Sequence, residues 1–210
     1  MSTTFEVYIS SETIPTFNRV VEACELNYWK YLLSNGISER PKLSFKLLTR
    51  ENDKEAPFDK ESPFIWDDDK YLWVQVENVV GGTDCYAEKT NEEDREYWVE
   101  DIIPLERSKP IKGLLKKCIE QKYHWWFRRS AGQPAAINIL YGILAGSLAT
   151  IEKGVVFSGD SAWDYTKMPI EGDQFLECYM VPEKEIDPEL KSWAIENINR
   201  AKLELGVDNA

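Results

Sequence analysis

The spacing of apolar positions changes period along the chain, and each change predicts an element. Phe5 to Ser10 gather Phe, Val, Tyr and Ile into a short opening strand. Phe17, Val20, Val21, Cys24, Tyr28, Tyr31 and Leu32 then recur on one helical face. Thr13 suits the cap of that helix, Pro15 its first turn and Asn35-Gly36 its exit. Period two returns at 42–49, where Leu43, Phe45 and Leu47 alternate with Ser44 and Lys46, and again at 71–77. Residues 50–63 are charged, carry Pro57 and Pro63, and read as a loop. Gly81-Gly82 punctuate before another short strand at 83–87, a pattern that suits a hairpin.

The middle of the chain is harder to read. The segment 89–101, centred on Tyr97-Trp98-Val99, fits strand and helix equally. Ile111, Leu114, Leu115, Cys118 and Ile119 mark a second helix. The run Tyr123 to Arg129 reads as a helix end, with Trp and Phe packed inward and Arg128 and Arg129 in water. Aromatics beside arginines also suit a protein interface or base stacking. Residues 135–152 predict a third helix, which Asn138, Ser147 and Thr150 mark as a core helix rather than a membrane span. Its Gly142 and Gly146, beside Ala145 and Ala149, predict close approach of another element. Buried strands are expected at 155–158 and 175–181. Asp187-Pro188-Glu189 then opens a C-terminal helix whose apolar side is Leu190, Trp193, Ala194, Ile198, Ala201 and Leu205. The sum is an α+β fold: one domain over 1–210, with a mainly antiparallel sheet packed against several helices. The strands follow one another too briefly for crossovers.

Composition narrows the functional classes. Lys+Arg number 25 and Asp+Glu 37, a net charge of −12. Such a chain repels a phosphate backbone, so no nucleic-acid partner is expected. With 43% hydrophobic and 12% aromatic residues it has too much apolar surface for a disordered acidic chain. Cys24, Cys85, Cys118 and Cys178 form no CxxC pair and read as reduced thiols. The first ten residues show no signal-peptide pattern, and the expected location is cytoplasmic, with no membrane partner.

The sharpest local motif is Val155 to Asp164, which ends a strand in Gly159-Asp160-Ser161. It resembles the nucleophile block of the GDSL esterases and lipases, and that resemblance implies Ser161 as a nucleophile. The family's His lies downstream of the serine, whereas the single His here is His124, upstream of it. A turn in which Asp160 or Ser161 binds backbone amides accounts for the same residues. A hydrolase using Ser161, or an Asp160/Asp164 carboxylate pair, is the alternative reading. A regulatory domain with a small-molecule pocket lined by Trp and Tyr is a third. Asp67-Asp68-Asp69 and Glu92-Glu93-Asp94 lack the EF-hand spacing, and no glycine-rich phosphate loop occurs, so neither metal nor cofactor is expected.

The remaining signal is acid interleaved with aromatics. Asp67, Asp68 and Asp69 flank Trp66, while Glu92, Glu93, Asp94 and Glu96 precede Trp98. Such a surface attracts a basic protein at long range and anchors it through desolvated rings. These nine residues form the expected partner-binding set, and no catalytic residue is assigned. The stretch 142–179 combines the small-residue helix, Ala149-Thr150 with Gly154 soon after, Ser158-Gly-Asp-Ser-Ala-Trp-Asp, and Phe175-Leu-Glu-Cys-Tyr. It resembles the immunity proteins of bacterial polymorphic toxin systems. That resemblance implies neutralisation of a toxin by binding it, and carries over no individual residue.

Overall fold

A computed structural model describes residues 2–207. Strand β1 (Thr3–Tyr8) is followed by helix α1 (Phe17–Ser34), then by β2 (Leu43–Thr49), β3 (Glu55–Ala56), β4 (Lys70–Val76) and β5 (Thr83–Lys89). Helix α2 (Glu92–Tyr97) runs directly into a π-helical turn, Trp98–Ile102. After α3 (Lys112–Ile119) come β6 (Tyr123–Arg129), α4 (Ala135–Ile151), β7 (Val155–Phe157), β8 (Ile170–Glu171), α5 (Gly172–Cys178) and α6 (Pro188–Glu204).

The strands form one eight-stranded sheet in the order β3-β2-β4-β5-β6-β1-β7-β8, and every neighbouring pair is antiparallel. The α+β class with a mainly antiparallel sheet is therefore as expected. Crossovers do occur: β1 and β2 run parallel with three strands between them and are joined by α1, and β3 and β4 lie on either side of β2. Strands β6 and β7 flank β1, are both antiparallel to it and hence run parallel to each other, with α4 joining them. The length of α4 is what makes that connection possible.

Period two sorts the side chains. Phe5, Val7, Leu72, Val74, Cys85, Trp125 and Phe127 point to one face and are fully buried beneath the helices. Helix α4 crosses that face and is buried at every position from Ala135 to Ala149, because α1, α5 and α6 enclose its other sides. Among the described residues no helix is long and apolar enough to cross a membrane. The small residues of α4 do admit another element: a side chain at Gly142 would collide with Tyr179, and one at Gly146 with Phe175 and Leu176.

Several boundaries and two element types differ from expectation. The cap of α1 is Thr16, whose Oγ1 accepts from the Arg19 amide at 3.3 Å. Pro15 lies before the helix because its carbonyl accepts from the Phe64 amide at 2.7 Å. The loop 50–63 contains the two-residue strand β3, paired with β2. The 123–129 run is a central strand, not a helix end. Trp125 and Phe127 face the core while His124, Trp126 and Arg128 face away, and the aromatic Trp126 at an outward position hides the alternation. Residues 175–181 are not a strand. Phe175 and Tyr179 are stacked at 5.0 Å as helical i, i+4 neighbours against α4.

Candidate functional site

The second face of the sheet is covered only in part. Across β7 and β1 it is capped by the segment after α2, where Trp98 packs on Tyr8 at 4.7 Å and on Phe157 at 5.1 Å. Across β4, β5 and β6 it is open. In-register pairing builds this face of the sheet in rows. Arg128 lies opposite Asp84, which lies opposite Trp73. Glu6 lies opposite Trp126, which lies opposite Tyr86. Tyr8 lies opposite His124, which lies opposite Glu88.

The open rows form a groove of about 510 Å³ floored by Tyr71, Trp73, Tyr86 and Trp126. Tyr71 and Tyr86 stack at 6.0 Å, and Arg50 lies 4.6 Å over the Tyr86 ring. The rings are held by acids. Tyr71 Oη donates to Asp53 at 2.8 Å, and Tyr86 Oη donates to Asp84 at 2.6 Å. Asp84 also pairs with Arg128 and is 3% exposed, so this ion pair fixes the floor rather than the rim. The Arg50 guanidinium lies 4.0 Å from Glu88. The groove and its edge thus carry Glu6, Asp53, Asp84 and Glu88 against Arg50 and Arg128, an acidic balance on an aromatic floor.

Glu6 stands at the boundary between the open and capped halves, with Trp126 on one flank and Phe157 on the other. Its carboxylate accepts from Tyr8 Oη at 2.9 Å. No cationic side chain among the described residues lies within 4.0 Å of it. Burial raises the Glu6 carboxyl from 4.5 to about 7; the Tyr8 hydroxyl opposes the rise, and the fields of Asp94, Asp160 and Glu88 add to it. His124 is stacked on Tyr8 at 4.9 Å and is 2% exposed. Its Nδ1 faces Thr90 Oγ1 at 3.4 Å, while Nε2 is buried without a partner. Burial pushes the imidazole down to about 4, against the opposing field of Asp94, so it is neutral at pH 7.

A stability prediction follows from Glu6. Below about pH 4.5 it is protonated in folded and unfolded chains alike. Between 4.5 and about 7 only the unfolded chain ionises, so the folded state loses stability as pH rises, and the loss is complete above about 7. At about 1.4 kcal/mol per pH unit the ceiling is roughly 3 kcal/mol, and residual solvent contact lowers it to about 2. Glu6→Gln is expected to be about 2 kcal/mol more stable than the parent at pH 8 and no more stable at pH 4. Urea unfolding at the two pH values checks this.

The sequence-predicted site residues are dispersed more widely. Asp67, Asp68 and Asp69 are exposed, with Asp67 and Asp69 tied to Lys70 at 2.7 and 3.4 Å. Trp66 is half-buried in a second groove of about 580 Å³, packed against Phe64 at 5.2 Å and Phe17 at 5.8 Å. Glu92, Glu93 and Glu96 are exposed, and Glu92 lies 3.6 Å from Arg95. Asp94 closes a capping box with Asn91 at the start of α2. Trp98 is 1% exposed, which corrects its expected role as a surface anchor: it is the plug beneath the α2 segment. What joins the two acidic clusters is Glu88, whose carboxyl is raised by burial and by the fields of both Asp68 and Asp94. Asp67 and Asp68 line the second groove rather than the open one. Trp126 belongs to the 123–129 run that also suits a protein interface, whereas Arg50, Trp73, Tyr86 and Glu6 were not singled out as a site. Their available signal was the aromatic or charged residue at every second position of β1, β4, β5 and β6.

The Ser161 block forms a turn. Asp160 Oδ1 accepts from the Thr4 amide and from Ser158 Oγ, each at 3.0 Å. Asp164 Oδ1 accepts from the Thr166 amide at 3.0 Å, and its other oxygen pairs with Lys167 at 3.1 Å. Ser161 adopts φ 60° and is exposed. Asp160 is beside Thr4, whereas His124 is opposite Tyr8, four residues along β1 and so roughly 13 Å away at about 3.3 Å per residue. That separation leaves Ser161 without an imidazole base. Among the described residues no group of His, Cys, Asp and Glu is placed to hold a metal ion. The chain matches no family model, and neither the curated proteins nor the solved structures contain a significant match to it.

Proposed function

We propose that this protein is a non-enzymatic binding protein of immunity or inhibitor type, and that it captures a basic protein through the open half of its sheet. The observation that carries the reading is the floor of Tyr71, Trp73, Tyr86 and Trp126, left uncovered beside Arg50 and Arg128. Trp, Tyr and Arg are the residue types on which interface energy concentrates, and here the rings are already immobilised by Asp53 and Asp84. The acids around the floor supply the long-range term. Glu88 lines the groove and Glu6 lies opposite Trp126, both in the field of Asp94, within a chain of net charge −12.

The test is the ionic-strength dependence of association with the purified partner. Steering by the rim predicts that the association rate falls about tenfold or more between 20 and 500 mM salt, while the dissociation rate changes little. An association rate indifferent to salt contradicts capture by charge.

A further inference from the structure

We propose that the open groove receives one arginine side chain of the basic partner, and that Arg50 holds its place until the partner arrives. The proposal rests on the docking reading and specifies what the partner presents and what has to move. The first observation is where Arg50 sits. Its guanidinium lies 4.6 Å over the Tyr86 ring and 4.0 Å from Glu88, and all three residues line the groove of about 510 Å³. The chain itself thus shows which chemistry this part of the floor accepts: a planar cation on an aromatic face with a carboxylate beside it.

The second observation is how loosely Arg50 is held. Among the described residues its one side-chain hydrogen bond runs from Nε–H to the Lys70 carbonyl at 3.5 Å, and at 4.0 Å the pair with Glu88 is long as well. The side chain is 44% exposed, so little is lost when it swings into water. The backbone need not follow, because the Arg50 amide donates to the Asp69 carbonyl at 2.8 Å. Arg128 is the contrast. It is paired with Asp84, which is 3% exposed and also accepts from Tyr86 Oη, so Arg128 belongs to the fixed floor.

Charge points to the same occupant. The lining holds Asp53, Asp84 and Glu88 against Arg50 and Arg128. With Asp84 matched by Arg128, withdrawal of Arg50 leaves Asp53 and Glu88 without a cation among the described residues. An arriving guanidinium restores both the stacking on Tyr86 and the charge. An ammonium brings charge without the plane, and an acidic group meets Asp53 and Glu88.

The test uses the isolated protein, Arg50→Ala and Lys54→Ala. Lys54 is exposed between β2 and β3, as Arg50 is, and does not line the groove, so its removal deletes an equal charge without clearing Tyr86. N-acetyl-arginine amide is titrated while the indole N–H signals of Trp73 and Trp126 are followed by NMR. The citrulline analogue, planar and uncharged, serves as the control. A guest that waits for Arg50 to leave binds in proportion to the time the ring is free, so Arg50→Ala should bind the arginine probe about fivefold more tightly than the parent. Lys54→Ala should bind it as the parent does, and citrulline should shift neither signal. Unchanged or weaker binding by Arg50→Ala, an equal gain in Lys54→Ala, or equal responses to arginine and citrulline would each overturn the exchange. The arginine–citrulline comparison needs no variant, so a folding defect in Arg50→Ala leaves the test intact. Docking on the groove is read separately, from partner binding by Trp126→Ala, and it stands even where Arg50 proves to be a fixed contact.

Discussion

Gly142→Ala is expected to destabilise the protein by about 3 kcal/mol or more, the upper end of what overpacking a core costs. A Cβ at this position would lie 2.2 Å from Tyr179 Cε1 and 2.3 Å from Cζ. Tyr179 has nowhere to withdraw. Its hydroxyl donates to the Asn138 carbonyl at 2.6 Å, and its ring packs on Phe175 at 5.0 Å, Trp163 at 5.4 Å and Phe5 at 5.5 Å. Either α5 separates from α4, or Tyr179 abandons a buried hydrogen bond. Gly113→Ala is the matched control. Gly113 lies inside α3 with open space where its Cβ would stand, so alanine there should add up to about 1 kcal/mol through helix propensity. Urea unfolding with unchanged m-values measures both. Equal small effects at the two glycines would contradict the packing of α5 on α4.

The second large effect concerns the partner. Trp126→Ala is expected to weaken binding about 100-fold, roughly 2.7 kcal/mol, expressed chiefly in faster dissociation. Trp126 is central to the proposed surface: it lies opposite Tyr86 on one side and Glu6 on the other, and is 36% exposed. The same substitution should leave the fold in place, because its sheet neighbours Trp125 and Phe127 carry the buried contacts of β6. The contrast to draw is with Trp125, whose indole N–H donates to the Phe64 carbonyl at 2.9 Å in the core. Trp125→Ala removes stability, by about 3–5 kcal/mol, whereas Trp126→Ala removes affinity. Circular dichroism and calorimetry separate the two outcomes. Trp126→Ala that binds as the parent does would move the docking surface elsewhere.

Much of the fold was legible where one period dominates. Helix α1 repeats Phe17, Val20, Cys24, Tyr28 and Tyr31 without interruption, and Asp187 caps α6 as its sequence implies, accepting from the Glu189 and Leu190 amides. Gly142 and Gly146 announced a close approach but not what approached, since the partner, α5, lies 30 residues away and was itself read as a strand. The misreading of β6 and the absence of the open-face rings from the expected site have one cause. An outward strand position filled by Trp or Tyr is apolar by composition and surface by location, so alternation vanishes at the residues that make the surface distinctive. The acidic clusters were visible because acids stand out in a sequence. Glu6 was not, because its distinction arises from the sheet: β1, first in the chain, is inserted between β6 and β7, and only there does Glu6 meet Trp126 and Phe157.

The most direct measurement places a photo-crosslinking amino acid at Trp126 on the open sheet face and, separately, at Leu33, which is 50% exposed on α1. Irradiation in the host cell, followed by mapping of each adduct, reads which face meets the partner and the charge of the segment it meets. The account predicts a discrete adduct from position 126 alone, to a segment rich in Arg and Lys, with a yield that falls as salt is raised. An adduct from position 33 with position 126 silent, or one joined to an acidic segment, would contradict it.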